Sequence, residues 1–141
     1  MAEPVSALLK QSLAHLVDEV PDSYRVILDR LGPMVVELDV DGERFSLCGG
    51  PRLEVHDGPA HHAGTRITTS RAAIVDVLDA RMGLAEAVEA GTVGVLGALD
   101  DILRAHDTLL AYVHAAVRAP SQPGLLSALR GADSALRAGP P

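Results

Sequence analysis

Few residues in this chain are of types that do chemistry, and their spacing does not suit it. His56, Asp57, His61 and His62 collect metal-ligand types in one short segment. A zinc site wants its ligands fixed in tetrahedral geometry, usually by ordered elements with Cys or His at short spacing. Here the ligand types sit on the Gly- and Pro-bearing turn DGPAHHAG, which is expected to be a solvated loop without a metal. Cys48 needs a nearby base and a positive field to become a nucleophile. Its place on a strand beside Leu47 makes it a small buried filler instead. No Gly-x-Ser-x-Gly elbow is present, and Ser70, next to Thr69, suits a helix cap.

Gly91, Gly94 and Gly97 invite comparison with a phosphate-binding loop. Such loops aim backbone N–H groups from a helix N-terminus and add Lys or Arg. The helix that follows opens instead with Asp100 and Asp101, which would repel phosphate. The glycines are therefore expected to allow bulges or close packing in an edge strand. With no paired carboxylates and no base–nucleophile pair, the chain is expected not to be an enzyme and to need no cofactor.

The elements that would position a site follow from hydrophobic periodicity. Val5, Leu8, Leu9, Leu13, Leu16, Val17 and Val20 mark an amphipathic helix over 5–20. Pro21 ends it, and Asp22 or Ser23 can cap a second helix that stops at Gly32 and Pro33. A strand block comes next. Met34, Val36, Leu38 and Val40 share one face, Glu37 and Asp39 the other, and Asp41-Gly42 signals a tight hairpin. The returning strand carries Phe45 and Leu47, and a third carries Leu53 and Val55. TRITT leads into Ser70 and the helix RAAIVDVLDARM. Gly83 separates that helix from LAEAVEAG, and TVGVLG is a fifth strand. A long closing helix spaces Leu99, Ile102, Leu103, His106, Leu110, Val113 and Val117 helically. Past Arg118, APSQPG is a linker to an Ala-rich tail whose short helix would pack Leu125, Leu126, Leu129 and Leu136.

Composition narrows the function. The 141 residues are expected to form one domain: helix 5–20, core 22–117, tail 118–141. There is no Trp and only one Phe, so Ala, Val and Leu must fill the core. A net charge of −7, a single Lys and the lack of stacking aromatics argue against nucleic acid. One Cys excludes an internal disulfide and suits a reducing cytoplasm. No signal peptide or membrane span is apparent, so a cytoplasmic location is expected.

The order VVELDVDGERFSL, ITTSRAAIVDVL, Met-Gly break, AVEAGTVGVLG and closing helix resembles the sterol carrier protein 2-like domains, over about residues 23–116. In that family Asp often follows the glycine that closes the last strand; here Ala98 follows Gly97. The resemblance implies an α+β fold, a five-stranded mainly antiparallel sheet covered by helices, with an apolar tunnel between them. It also implies noncatalytic binding or transfer of a lipid, sterol or fatty acyl chain. Inward phase then gives Val36, Leu38, Phe45, Leu47, Leu78, Met82, Leu84, Val88, Val95, Leu103 and Leu110 as wall residues. His106 would be a core histidine bonded to a carbonyl, or a polar contact to a ligand head group. Met34 and Met82 could adapt to ligand shape or simply pack the core. The alternative is an interaction module, without a physiological lipid ligand, whose first helix or tail mediates homodimer formation or docks an enzyme.

Overall fold

The computed structural model describes residues 3–60 and 62–130. His61 of the histidine segment and Leu136 of the tail lie outside the described residues.

Two helices, α1 (Val5–Glu19) and α2 (Pro21–Leu31), precede four strands, β1 (Val35–Val40), β2 (Glu43–Cys48), β3 (Glu54–Asp57) and β4 (Thr65–Thr69). Helices α3 (Arg71–Leu78) and α4 (Leu84–Glu89) lead to β5 (Gly94–Gly97), followed by α5 (Leu99–Arg118) and α6 (Gln122–Leu129). The strands form one sheet in the order β3-β2-β1-β4-β5. Three of its pairings are antiparallel and the central one, β1 with β4, is parallel.

Local chemistry explains most boundaries. Asp41 and Gly42 adopt φ of 52° and 89°, the left-handed pair that a tight hairpin requires. Ser70 caps α3, its Oγ accepting from the Ala73 N–H at 3.1 Å. The start of α2 differs from the expected side-chain cap. Val20 is the cap residue without a side-chain bond, and Pro21 occupies the first turn, where a missing N–H costs nothing. Ala98 likewise begins α5 without a side-chain cap, and Asp100 and Asp101 complement the dipole of its first turn. On the edge strand β5, Gly97 has φ of 153° and a Cβ there would lie 2.7 Å from the Gly64 carbonyl oxygen. Close backbone approach accounts for that glycine.

The helix layer covers one sheet face, and α1 is fastened to it from a distance. Glu43 of β2 accepts from the backbone N–H groups of Val5 at 2.8 Å and Ser6 at 2.9 Å. A carboxylate from the sheet thus satisfies the orphan donors of α1 and complements its positive end. Farther along, the Ser6 hydroxyl and then the Lys10 ammonium hold the Asp57 carboxyl below its ordinary range, tying α1 to β3.

The opposite sheet face is less wet than alternation predicts. Glu37 is 1% exposed there. Its carboxylate pairs with Arg66 Nε at 2.6 Å and accepts from the Ala60 N–H at 3.0 Å, so the loop after β3 closes over it. Cys48 is partly exposed on this polar face, contrary to the buried filler expected.

Glu43→Ala removes the remote cap of α1 and should lower unfolding stability by about 1–2 kcal/mol. Urea unfolding should show an earlier midpoint with an unchanged slope.

Candidate ligand cavity

Between sheet and helices lies a cavity of about 140 Å³. Its floor is a row of paired residues: Phe45 faces Leu38, and Leu38 faces Ile67 across the parallel pairing. Val40 and Leu47 extend the floor on either side. Period-2 alternation puts all of these on the helix-facing side. The roof comes from Val5, Leu8, Leu9 and Leu13 of α1 and from Thr108, Leu109, Tyr112 and Val113 of α5. One end is closed by Ala73, Ile74, Val77 and Leu78 of α3, and Leu125 and Leu129 of α6 add a cover.

The polar atoms of the wall are turned away from chemistry. Thr69 Oγ1 donates to the Thr92 carbonyl at 2.9 Å, and Thr108 Oγ1 donates to the Arg104 carbonyl at 2.8 Å. Tyr112 OH lies 2.6 Å from Ser12 Oγ. Burial pushes the Tyr112 phenol above its ordinary range, so it stays neutral. No Asp, Glu, His, Lys, Arg or Cys lines the space. Among the described residues, no three His, Cys, Asp or Glu side chains gather as metal ligands. His56 contacts Glu54 at 3.3 Å on the surface instead.

Five of the expected wall residues line the cavity: Leu38, Phe45, Leu47, Leu78 and Leu84. Val36 is buried in the adjoining core, and Met82, Val88 and Val95 pack partly buried against it, without reaching the space. Met34 packs in the same way. The expectation for α5 is corrected. Leu103 is 55% exposed and Leu110 37%, both on the outer side with Leu99 and Val117, while His106 is partly exposed away from the cavity. The helix is apolar on two sides. The side with small residues, Ala105, Thr108, Ala115 and Ala116, is the one buried. Small side chains let α5 come close to its neighbours, which outweighs the larger area its outer leucines would bury.

The sequence-based wall omitted α1, α6 and Tyr112. The α1 stripe of Val5, Leu8, Leu9 and Leu13 is legible in the sequence, but its docking over the sheet is not. α6 lies beyond the segment that carries the resemblance, yet Leu126 and Leu129 are buried and Leu125 reaches the cavity.

No protein-family model matches the sequence, and no curated protein sequence matches it significantly. Solved structures do match in fold. The structure of "UbiJ-SCP2 Ubiquinone synthesis protein" aligns with a TM-score of 0.59 at 17% identity, covering 78% of this chain and 93% of its own. Sterol carrier protein 2 like 2 from Aedes aegypti aligns at 0.53 and 14% identity, covering 74% and 94%. Sterol carrier protein 2 from Yarrowia lipolytica aligns at 0.53 and 12%, covering 79% and 91%. The chain therefore has the sterol carrier protein 2 fold.

Ala73→Leu would grow carbons into the cavity from the first turn of α3. Binding of an apolar probe should fall at least tenfold while thermal stability holds or rises, because the added side chain fills empty space. Unchanged probe affinity would place binding elsewhere.

Proposed function

We propose that this protein binds an uncatalysed cargo, an apolar small molecule or the apolar part of a larger lipid, in the cavity between sheet and helices. The observation that carries this is the wall itself: aliphatic side chains, Phe45 and Tyr112, with every hydroxyl bonded to the protein. An apolar cavity of this kind stays dry and favours apolar guests; a comparable engineered one of about 150 Å³ takes benzene. The fold neighbours named as sterol carrier proteins support a lipid-binding role.

Size sets the cargo. A space of about 140 Å³ holds a ring or a short chain segment. Burying six to eight methylenes at about 0.8 kcal/mol each yields roughly 5–6 kcal/mol, a dissociation constant near 0.1 mM. A longer molecule bound at micromolar levels needs the helices to part, and α6, which covers the cavity with Leu125 and Leu129, is the element we propose to move. Its ends are tied by Gln122 to the Leu78 carbonyl at 3.0 Å and by Arg130 to Asp79 at 2.7 Å. No described helix is long and apolar enough to cross a membrane.

Native mass spectrometry of the purified protein, with organic extraction, tests this. The expected result is a mass adduct that extraction removes, or saturable binding of a neutral apolar fluorophore at or below about 0.1 mM. A protein that carries no adduct and binds no such probe contradicts the proposal.

One observation favours the alternative of a self-associating module. Leu99, Leu103, Leu110 and Val117 run along the outer side of α5 in steps of four, seven and seven, the spacing of a helix-pairing seam. The stripe spans about 27 Å, long enough for a second copy to lie antiparallel on it. Sedimentation at rising concentration should then show a dimer that Leu103→Glu abolishes. A monomer throughout would remove this alternative.

A further inference from the structure

The outer side of α5 carries a charge pattern that the cavity does not use. Leu103, Leu110 and Val117 are exposed and stand one heptad apart. Along the flank of that stripe run Asp100, Asp107, His114 and Arg118, all exposed. The two acids lie in the N-terminal half of the helix, the two basic types in the C-terminal half. None of the four forms an ion pair among the described residues. By contrast, Arg44, Arg52, Arg66, Arg81 and Arg130 each pair with a carboxylate, and Arg104 donates to the Arg30 carbonyl. Asp107, Leu110, His114 and Arg118 also line a groove of about 250 Å³ between α5 and α2, together with Val26, which is 43% exposed. The apolar stripe and the charged flank are therefore one surface.

An acidic half followed by a basic half complements itself when reversed. Two copies of α5 laid antiparallel, with Leu110 on the two-fold axis, put Leu103 of each opposite Val117 of the other. Asp107 then stands about one residue, roughly 1.5 Å along the axis, from the level of His114 of the second copy. Asp100 stands about two residues, roughly 3 Å, from the level of Arg118. Symmetry makes each contact twice. A parallel pairing would set aspartate beside aspartate and Arg118 beside Arg118. The face is about 27 Å long and up to two helices, roughly 20 Å, wide, so each copy offers about 500 Å². That is the scale of a transient association, in which charge placement is decisive.

Resting on the reading of the α5 stripe as a self-association surface, we infer that its occupant is α5 of a second copy, held antiparallel by Asp107–His114 and Asp100–Arg118 contacts, and that pH sets the strength of the pairing through His114. The cavity is lined from the other side of α5, by Thr108, Leu109, Tyr112 and Val113, so pairing leaves it unobstructed. Protonated His114 attracts Asp107 and neutral His114 does not, so pairing favours the protonated form. The gain is complete below the ordinary histidine range and is lost as pH rises through it. Arg30, Asp107 and Arg118 are the charged side chains that line the groove with His114. Aspartate and arginine hold their charges where histidine switches, so the histidine is the sensor.

Sedimentation equilibrium at pH 8 and pH 6 tests this. The dissociation constant of the dimer should fall roughly three- to tenfold at the lower pH, the range of two exposed ion pairs. His114→Gln should dimerise equally at both. Asp107→Lys sets two cations together and should weaken pairing, and Asp107→Lys/His114→Asp should restore it. Positions 107 and 114 are about two turns apart on one helix and do not meet within a chain, so such a rescue acts between copies. All these positions are exposed, and circular dichroism checks that each variant folds. A wild-type dimer indifferent to pH, a pH dependence that survives in His114→Gln, or a double variant that stays weak overturns this inference and leaves self-association standing. A wild type that is monomeric at every concentration and both pH values overturns both.

Discussion

Everything in this fold depends on covering one apolar sheet face with helices while almost no aromatic side chains are available to fill the gap. A helix layer sits about 10 Å above a sheet, and large rings normally occupy much of that depth. Here Phe45 is the only Phe and Trp is absent. Leu, Val and Ile from both layers meet in the middle without closing it completely, and the remaining space is the cavity. Because its wall is hydrocarbon, the space is dry, and because the hydroxyls are bonded, it is chemically inert. Composition, packing and binding are here one argument.

The roof is positioned by polar contacts at its edges. Glu43 fixes the start of α1 over β2, and Tyr112 joins α5 to α1 through Ser12. On the far face of the sheet, the buried Glu37, paired with the exposed Arg66, clamps the loop that links β3 to β4. These contacts hold the layers in register while contributing no reactive group to the interior. α6 covers the cavity with Leu125 and Leu129, buries Leu126 against its neighbours and is bonded at its two ends.

Much of the architecture was legible because it rests on local chemistry. Alternation along Leu38, Val40, Phe45 and Leu47 gives the inner sheet face, and the Asp41-Gly42 turn and the Ser70 cap each carry their own signal. The wall was half legible. Leu38, Phe45, Leu47, Leu78 and Leu84 follow from phase within one element. Leu103 and Leu110 do not, because α5 has two apolar sides and only the tertiary fit selects Ala105, Thr108 and Ala115 for the interior. Likewise the burial of Glu37 depends on a loop that crosses it, and Glu43 caps a helix 37 and 38 positions away. Long-range polar contacts of this sort leave no periodic trace.

The central claim is that the cavity between β1, α1 and α5 is where cargo sits. Methyl-resolved NMR during titration with a neutral apolar probe tests it most directly. Resonances of Leu38, Ile67, Val113 and Leu125 should shift together and saturate, while those of Leu103 and Leu110 stay fixed. Shifts confined to the outer stripe of α5, with the inner methyls unmoved, would contradict the account.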